Sequence, residues 1–172
     1  MTGKAVDLIT WLYAQEREKV WEIKEHKEKR SLNQNSYYWS LLTKVADAHR
    51  ISKAECHNQM LRSYGQIELI DGKACYIVIP DTEEAERSTL SADTYHIKPT
   101  SQVKQGKDGM YRTYMLLRGS STYNSNEMSV LLDGLIQEAK QLGIETLPPA
   151  ELERMRLYEL QIEAKQSMRN SG

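Results

Sequence analysis

The sequence predicts an α+β fold, in which four to five helices, including long C-terminal helices, pack with a small, mostly antiparallel sheet made of hairpins. Apolar residues recur at helical spacing in several segments, and short β-prone runs flank turns that contain glycine. The chain has 172 residues and 40% hydrophobic content, which is enough to bury a core. We expect a single α+β domain over residues 1–147, followed by a C-terminal helix and frayed tail over residues 148–172.

The first two predicted elements are a short helix and a strand. Apolar residues share one side of a helix over residues 4–15. Over residues 19–26, Trp21 and Ile23 alternate with charged residues, which is the pattern of a half-buried strand.

The central predicted helix follows the stretch Lys29–Leu42. Ser31 and Gln34 have the spacing of a capping box, which places the start of the helix at Ser31. The residues at helical spacing are Leu32, Asn35, Trp39, Leu42, Val45, Ala46 and His49. We expect Leu32 and Trp39 in the core and the end of the helix near His49 or Arg50.

The next segments predict a helix and a hairpin. Ser52–Glu55 forms a second capping box, and Gly65 is a suitable C-terminal cap for the helix between them. Asp71-Gly72 lies between β-prone runs at residues 67–70 and 74–79, which is a strong hairpin signal.

The second half of the chain predicts one more hairpin and two helices. Residues 95–103 and 110–117 flank a glycine-containing turn, and Pro99 is expected to interrupt or end the first strand. A polar loop leads to an amphipathic helix over residues 126–142, and Leu147-Pro148-Pro149 begins the last helix.

Charge is distributed in two opposed blocks, although the formal net charge is only -1. Residues 81–93 carry five carboxylates and one arginine, whereas residues 98–118 carry five basic residues and one aspartate. A polyanion site must therefore be a local patch rather than the product of a global field.

The remaining composition indicates an intracellular protein. The two cysteines, Cys56 and Cys75, do not make a disulfide framework and favour a reduced compartment. No segment approaches the ~20 apolar residues of a membrane helix, and the N-terminus lacks the layout of a signal peptide. We expect a cytoplasmic protein without membrane contact.

The start of the central helix is the first candidate site. Lys29 and Arg30 precede an amide cluster of Asn33, Gln34 and Asn35. The open N–H groups and the positive dipole of a helix start favour an anion such as phosphate. The alternative is an ordinary capped core helix.

The basic hairpin is the second candidate site. Its cations can neutralise phosphates, and Tyr111 and Tyr114 can stack on unpaired bases. The basic residues are Lys98, Lys104, Lys107, Arg112 and Arg118. The alternative is a solvated surface with ordinary charges.

Catalytic chemistry has weaker support in the sequence. A metal-dependent nuclease could use Asp71, Asp81 and Glu83, but Asp71-Gly72 is better explained as a turn. The histidines and cysteines lack the spacing of a zinc site, and no phosphate-binding or dinucleotide motif is present. We predict no catalytic residues, no metal and no cofactor.

The segment Arg30-Ser31-Leu32-Asn33-Gln34-Asn35, followed by Trp39, resembles the NinB (Orf) family of phage recombination proteins. His96–Ser101 and Gly143–Leu147 also look like segments of phage and prophage proteins. The motif covers residues 30–35, and the similarity of layout extends loosely over residues 19–145.

The resemblance implies a phage-encoded, non-catalytic mediator of recombination in the bacterial host cell. It would act as a homodimer on single-stranded or gapped DNA and load a recombinase past a single-strand-binding protein. A phage protein that binds a host defence or replication protein is a further alternative, because the two charge blocks could also form a protein interface.

Overall fold

The computed structural model describes residue 13 and residues 33–170. The chain divides into two units, residues 1–31 and residues 32–172, and the elements below belong to the second unit. The helix predicted over residues 4–15 and the strand predicted over residues 19–26 lie outside the described residues, apart from Tyr13, which is helical and exposed.

Five α-helices and two antiparallel sheets make up residues 33–170, which confirms the predicted α+β class. The helices are α1 (Gln34–His49), α2 (Lys53–Tyr64), α3 (Glu83–Leu90), α4 (Ser125–Gln141) and α5 (Pro149–Asn170). The strands are β1 (Leu69–Ile70), β2 (Lys73–Ala74), β3 (Tyr76–Pro80), β4 (His96–Gln105) and β5 (Met110–Leu117). None of these helices has the length and apolarity needed to cross a lipid bilayer.

The main core lies among α1, α2 and α4, with contributions from β5 and α5. Each fully buried leucine in it contributes about 1.5–3 kcal/mol relative to an exposed one. Its most buried large side chains include Tyr38, Leu41, Leu42, Leu61, Leu131, Leu132 and Leu135. The predicted last helix, α5, adds Met155 to the same core.

Helix α1 begins later than the sequence predicted. Asn33 is the N-cap, with extended backbone angles, and its Oδ1 accepts from the backbone N–H of Ser36 at 2.7 Å. The end is as predicted, because Arg50 takes the left-handed conformation at φ 58° directly after His49.

The buried face of α1 also differs from the prediction. Trp39, expected in the core, is 38% exposed, whereas the neighbouring Tyr38 is completely buried. The buried residues of α1 follow helical spacing in a phase that includes Tyr38, Leu41 and Val45 and leaves Trp39 at the margin. The buried Tyr38 hydroxyl is satisfied because it lies 2.8 Å from Nδ1 of the buried His57 on α2. Leu32, the other expected core residue, lies outside the described residues.

The Ser52 half of the predicted capping box, the Gly65 cap and the Asp71-Gly72 turn are confirmed, but the strand pairing beyond them is different. Ser52 Oγ accepts from the N–H of Glu55 at 3.0 Å, and Gly65 is the C-cap. Asp71 and Gly72 form the hairpin turn, both with positive φ. The hairpin ends at β2, however, and the next strand, β3, pairs with β5 instead.

The larger sheet has the order β3-β5-β4, and all its pairs are antiparallel. The predicted hairpin of β4 and β5 is confirmed. Pro99 interrupts the pairing of β4, as predicted, with a register shift between Pro99 and Val103, but the strand continues to Gln105. Thr100 stabilises this irregular stretch, since its Oγ donates to the carbonyl oxygen of Thr113 at 2.7 Å.

Helix α3 was not predicted from the acidic segment. Thr82 caps it by accepting from the N–H of Ala85 at 3.2 Å. Three glutamates occupy its first turn, where the helix dipole favours negative charge.

Helix α5 caps two other helices with carboxylates that lie one turn apart. Glu159 accepts from the backbone N–H of Gln34 at the start of α1, at 2.6 Å. Glu163 accepts from the N–H of Ser125 at the start of α4, at 2.7 Å. The Ser129 hydroxyl of α4 also donates to Oε1 of Gln34, which links the same two helix starts.

Close packing at the crossing of α2 and α4 depends on the absence of a side chain at Gly134. A Cβ at this position would collide with the ring of Tyr64. We predict that Gly134→Ala lowers the free energy of unfolding by about 1–2 kcal/mol, because overpacking outweighs the gain in helix propensity of about 1 kcal/mol. Urea denaturation of the variant and the natural protein measures this difference.

The effect of Gly134→Ala on the free energy of unfolding should change sign when the Tyr64 ring is absent. In a Tyr64→Ala background, Gly134→Ala is expected to stabilise the protein by about 0.5–1 kcal/mol through helix propensity alone. An equal destabilisation in both backgrounds would show that the Tyr64 ring is not the obstacle.

Candidate nucleic-acid interface

One face of the three-stranded sheet is covered by helices. Tyr114 and Ile97 are only 2% exposed there, and the Tyr114 hydroxyl donates to Glu86 of α3 at 2.7 Å. The prediction that Tyr114 stacks on bases is therefore wrong, because its ring is buried under the helices. Because side chains alternate along a strand and cross-strand partners share a face, the neighbours of Tyr114 in β5 point to the opposite side.

That opposite side, which we name the open face, combines aromatic, apolar and basic side chains. Two of its most exposed apolar residues are Val78, at 61%, and Tyr76, at 54%. The residues assigned to it by register are Tyr76, Val78, Pro80, Lys98, Lys104, Tyr111, Thr113 and Met115. The next pair on this side, His96 and Leu117, packs against the helices, so the open face ends at the row of Lys98 and Met115.

The cross-strand register orders these side chains into two rows. In one row Tyr76 lies opposite Met115, which lies opposite Lys98. In the other row Pro80 lies opposite Tyr111, which lies opposite Lys104. Each row therefore runs from an apolar or aromatic side chain at β3 to a lysine at the β4 edge.

Turn residues extend and rigidify this arrangement. Lys107 is exposed in the turn between β4 and β5, on the continuation of the lysine edge. The Tyr111 ring lies against Gly106 of the same turn, since a Cβ on Gly106 would stand 2.6 Å from Tyr111 Cε2. The Tyr111 ring therefore packs against the turn and remains partly exposed, as a ring that stacks on a base must be.

The two predicted arginines are engaged inside the protein. Arg112 binds both oxygens of Asp81, at 2.8 and 3.1 Å, and donates to the Thr100 carbonyl. Arg118 binds both oxygens of Glu127, at 2.9 and 3.1 Å. Bidentate pairs of this kind are strong and directional, so we leave Arg112 and Arg118 out of the candidate interface.

The acidic segment is connected to the helix layer in the same way. Arg62 of α2 pairs with Glu86 and also donates to Thr89 and to the Ile97 carbonyl. Burial alone raises the pKa of Glu86, but hydrogen bonds from Arg62 and Tyr114 outweigh it and hold the pKa below the ordinary value. Part of each charge block is thus an internal contact between sheet and helices.

The residues of the site predicted at the start of α1 have different environments in the structure. Gln34 is completely buried, and its backbone N–H already binds the Glu159 carboxylate, so the protein supplies its own anion there. Asn33 serves as the cap, and Asn35 is exposed. Lys29 and Arg30 lie outside the described residues.

The residues of the alternative nuclease site do not gather in one place. Both oxygens of Asp81 bind Arg112, Asp71 lies in the hairpin turn, and Glu83 is exposed at the start of α3. Within residues 33–170, no group of three or more His, Cys, Asp or Glu side chains has an arrangement that could hold a metal ion.

A buried polar cluster joins the helices to the start of β4, and no periodic signal in the sequence predicts it. His57 lies between the Tyr38 hydroxyl at 2.8 Å and the Ser120 hydroxyl at 3.3 Å, so its neutral ring is satisfied in either tautomer. Asn58 donates to two backbone carbonyls, which leaves its Oδ1 to accept from Nδ1–H of His96 at 2.6 Å.

The two histidines of this cluster are held in the neutral state. Burial, together with the smaller effect of the nearby His96, whose ring centroid is 5.4 Å away, lowers the pKa of His57 to about 4. Burial also lowers the pKa of His96, although Asp93 opposes this effect. The cluster connects α1 and α2 to the start of β4, and protonation of its histidines at low pH weakens this connection.

Comparison with protein-family models, curated proteins and solved structures found no match to this chain.

The histidine cluster predicts a loss of stability on the acid side. The unfolded chain binds protons below a histidine pKa of about 6.5, whereas folded His57 binds one only near pH 4. The contribution of each neutral histidine to the free energy of unfolding is therefore fully present above about pH 6.5 and is lost as the pH falls. The free energy of unfolding should decrease with a slope of up to about 1.4 kcal/mol per pH unit for each histidine.

Thermal or urea unfolding from neutral pH down to about pH 4 measures this slope. His57→Asn is expected to reduce it, and His49→Gln, which removes an exposed histidine outside the cluster, is the control. Equal slopes in the natural protein and His57→Asn would show that His57 does not link pH to folding.

Proposed function

We propose that the protein binds single-stranded DNA through the open face and does so without catalysis. The observation that supports this most directly is the pair of rows in which Tyr76, Tyr111 and apolar neighbours lead to Lys98 and Lys104. Bases would stack on the aromatic side chains while the lysines neutralise the phosphates.

Single strands fit this surface better than a duplex. Stacking on Tyr76 or Tyr111 requires unpaired bases, whereas a duplex offers only its backbone to a surface of this kind. Exposed Ser101 and Gln102 beside the lysine edge supply hydroxyl and amide groups that position phosphates.

The role of a phage recombination mediator extends this proposal. It draws on the resemblance of residues 30–35 to the NinB family, and the binding surface argued above lies elsewhere in the chain. Binding to single-stranded DNA is the part of that role that the open face supports. A recombinase or single-strand-binding protein as partner, and a bacterial cytoplasm as location, remain proposals from the resemblance.

The lysine edge gives the first prediction for binding. Replacing Lys98, Lys104 and Lys107 together by glutamine should weaken binding to a single-stranded oligonucleotide on the order of 100-fold at about 50 mM salt. The plot of log affinity against log salt should become shallower by about 2, because each lost phosphate contact removes about 0.7 from the slope. Fluorescence anisotropy at several salt concentrations measures both quantities.

A matched triple variant controls for net charge. Lys44, Lys53 and Lys140 are exposed lysines on helices, and their replacement by glutamine changes the total charge equally. This control should retain the natural affinity and slope. Equal losses in the two triple variants would overturn the assignment of the lysine edge.

The aromatic side chains give a separate prediction. Tyr76→Ala should lower the affinity by about 1–3 kcal/mol through lost stacking, with an unchanged salt slope. Tyr158→Ala is the control, since Tyr158 on α5 is 49% exposed and Tyr76 is 54% exposed. Unchanged affinity in Tyr76→Ala would remove Tyr76 from the interface.

A further inference from the structure

Among residues 33–170, no further strand pairs with either edge of the three-stranded sheet, and the two edges, β3 and β4, differ in how they are protected. Strand β4 carries Lys98 and Lys104, together with Pro99 and an irregular register, all of which discourage another strand from pairing there. Strand β3 carries no charged residue and only Pro80 at its end. An uncharged edge with exposed apolar side chains is a site for pairing with another strand.

The backbone groups of the β3 edge can be assigned from its pairing with β5. The carbonyl of Cys75 accepts from Leu116, and the N–H of Asp81 donates to Met110. Since hydrogen-bonded pairs alternate in an antiparallel ladder, Ile77 bonds to β5 as well. The N–H and C=O groups of Tyr76 and Val78 therefore point away from the sheet.

We propose that β3 pairs with β3 of a second copy of this chain, antiparallel and centred on Val78. The two Val78 residues would exchange both backbone hydrogen bonds. Tyr76 would lie opposite Pro80 of the partner subunit, where the Tyr76 N–H donates to the proline carbonyl and the missing N–H of proline leaves only the reverse bond unmade. The two three-stranded sheets would become one six-stranded sheet.

Two features favour a second copy over another protein as the occupant. The strand is self-complementary, because its two-fold axis places a tyrosine against a proline and leaves no like charges opposed. The surrounding exposed side chains are also apolar, since Leu69 and Ile70 in the preceding hairpin are 56% and 59% exposed. Covering such side chains is a main source of free energy in obligate dimers.

The symmetry of the pairing has a consequence for the open face. A two-fold axis perpendicular to the sheet keeps the open faces of both copies on the same side, so they join into one surface across β3. This extension rests on the proposed function. If both hold, one dimer should cover about twice as many nucleotides as a monomer does.

The dimer itself is tested by sedimentation velocity without DNA. The natural protein should sediment with twice the 19.9 kDa mass of the chain. Val78→Pro removes an outward N–H without removing a bond to β5, and it should raise the dimer dissociation constant on the order of tenfold or more. Val78→Thr keeps the N–H and the branched shape, and it should remain dimeric.

Cross-linking tests the register and covers the case in which Val78→Pro does not fold. Hydrogen-bonded partners have Cα atoms about 5.5 Å apart, which is within the range of a disulfide. Val78→Cys combined with Cys75→Ser should therefore form a disulfide-linked dimer on oxidation with diamide. Val130→Cys in the same background is the control, because Val130 on α4 is 51% exposed.

The outcomes separate this proposal from the binding proposal. A natural protein that is monomeric at about 100 μM overturns the β3 pairing, and so does a Val78→Cys variant that cross-links no more than the Val130→Cys control. A monomer that still binds single strands leaves the open-face function intact. A cross-linked dimer that binds no DNA supports the pairing and overturns the function.

Discussion

The last helix holds the main helix pair together through two carboxylates. Glu159 and Glu163 of α5 accept from the first backbone N–H groups of α1 and α4. Donors at a helix start have no partner within the helix, and Gln34 is completely buried, so an unsatisfied amide there would be costly. The core among α1, α2 and α4 can close around these helix starts because α5 supplies the acceptors.

A second set of charge pairs attaches the sheet to the helices. Arg112 holds the start of the acidic segment at Asp81, and Arg62 holds Glu86 beneath the sheet. The two charge blocks, which look like separate binding surfaces in the sequence, partly neutralise each other in space. What remains exposed on the sheet is a smaller set of lysines on the side away from the helices.

Local features of the fold could be predicted from the sequence, whereas long-range ones could not. The Ser52 cap and the Asp71-Gly72 turn depend on neighbouring residues, and both were predicted. The burial of Tyr38 instead of Trp39 follows the helical spacing that Tyr38 shares with Leu41 and Val45, whereas the partner of its hydroxyl, His57, lies on another helix. The buried state of Gln34 depends on Glu159, 125 residues away in the chain. The candidate lysines and Tyr111 were found from composition, but Tyr76 joins them only through the pairing of β3 with β5.

The engagement of Arg112 and Arg118 in carboxylate pairs has a consequence for how a single DNA strand, bound as proposed, would move across the open face. Guanidinium groups hold phosphates in a fixed, forked geometry, whereas a lysine ammonium is a point charge on a flexible stem. A strand held by lysines and by ring stacking meets nearly the same environment after each step of one nucleotide. If the open face binds single-stranded DNA as proposed, such a surface would allow one-dimensional diffusion along the DNA strand and would place little restriction on the order of the bases.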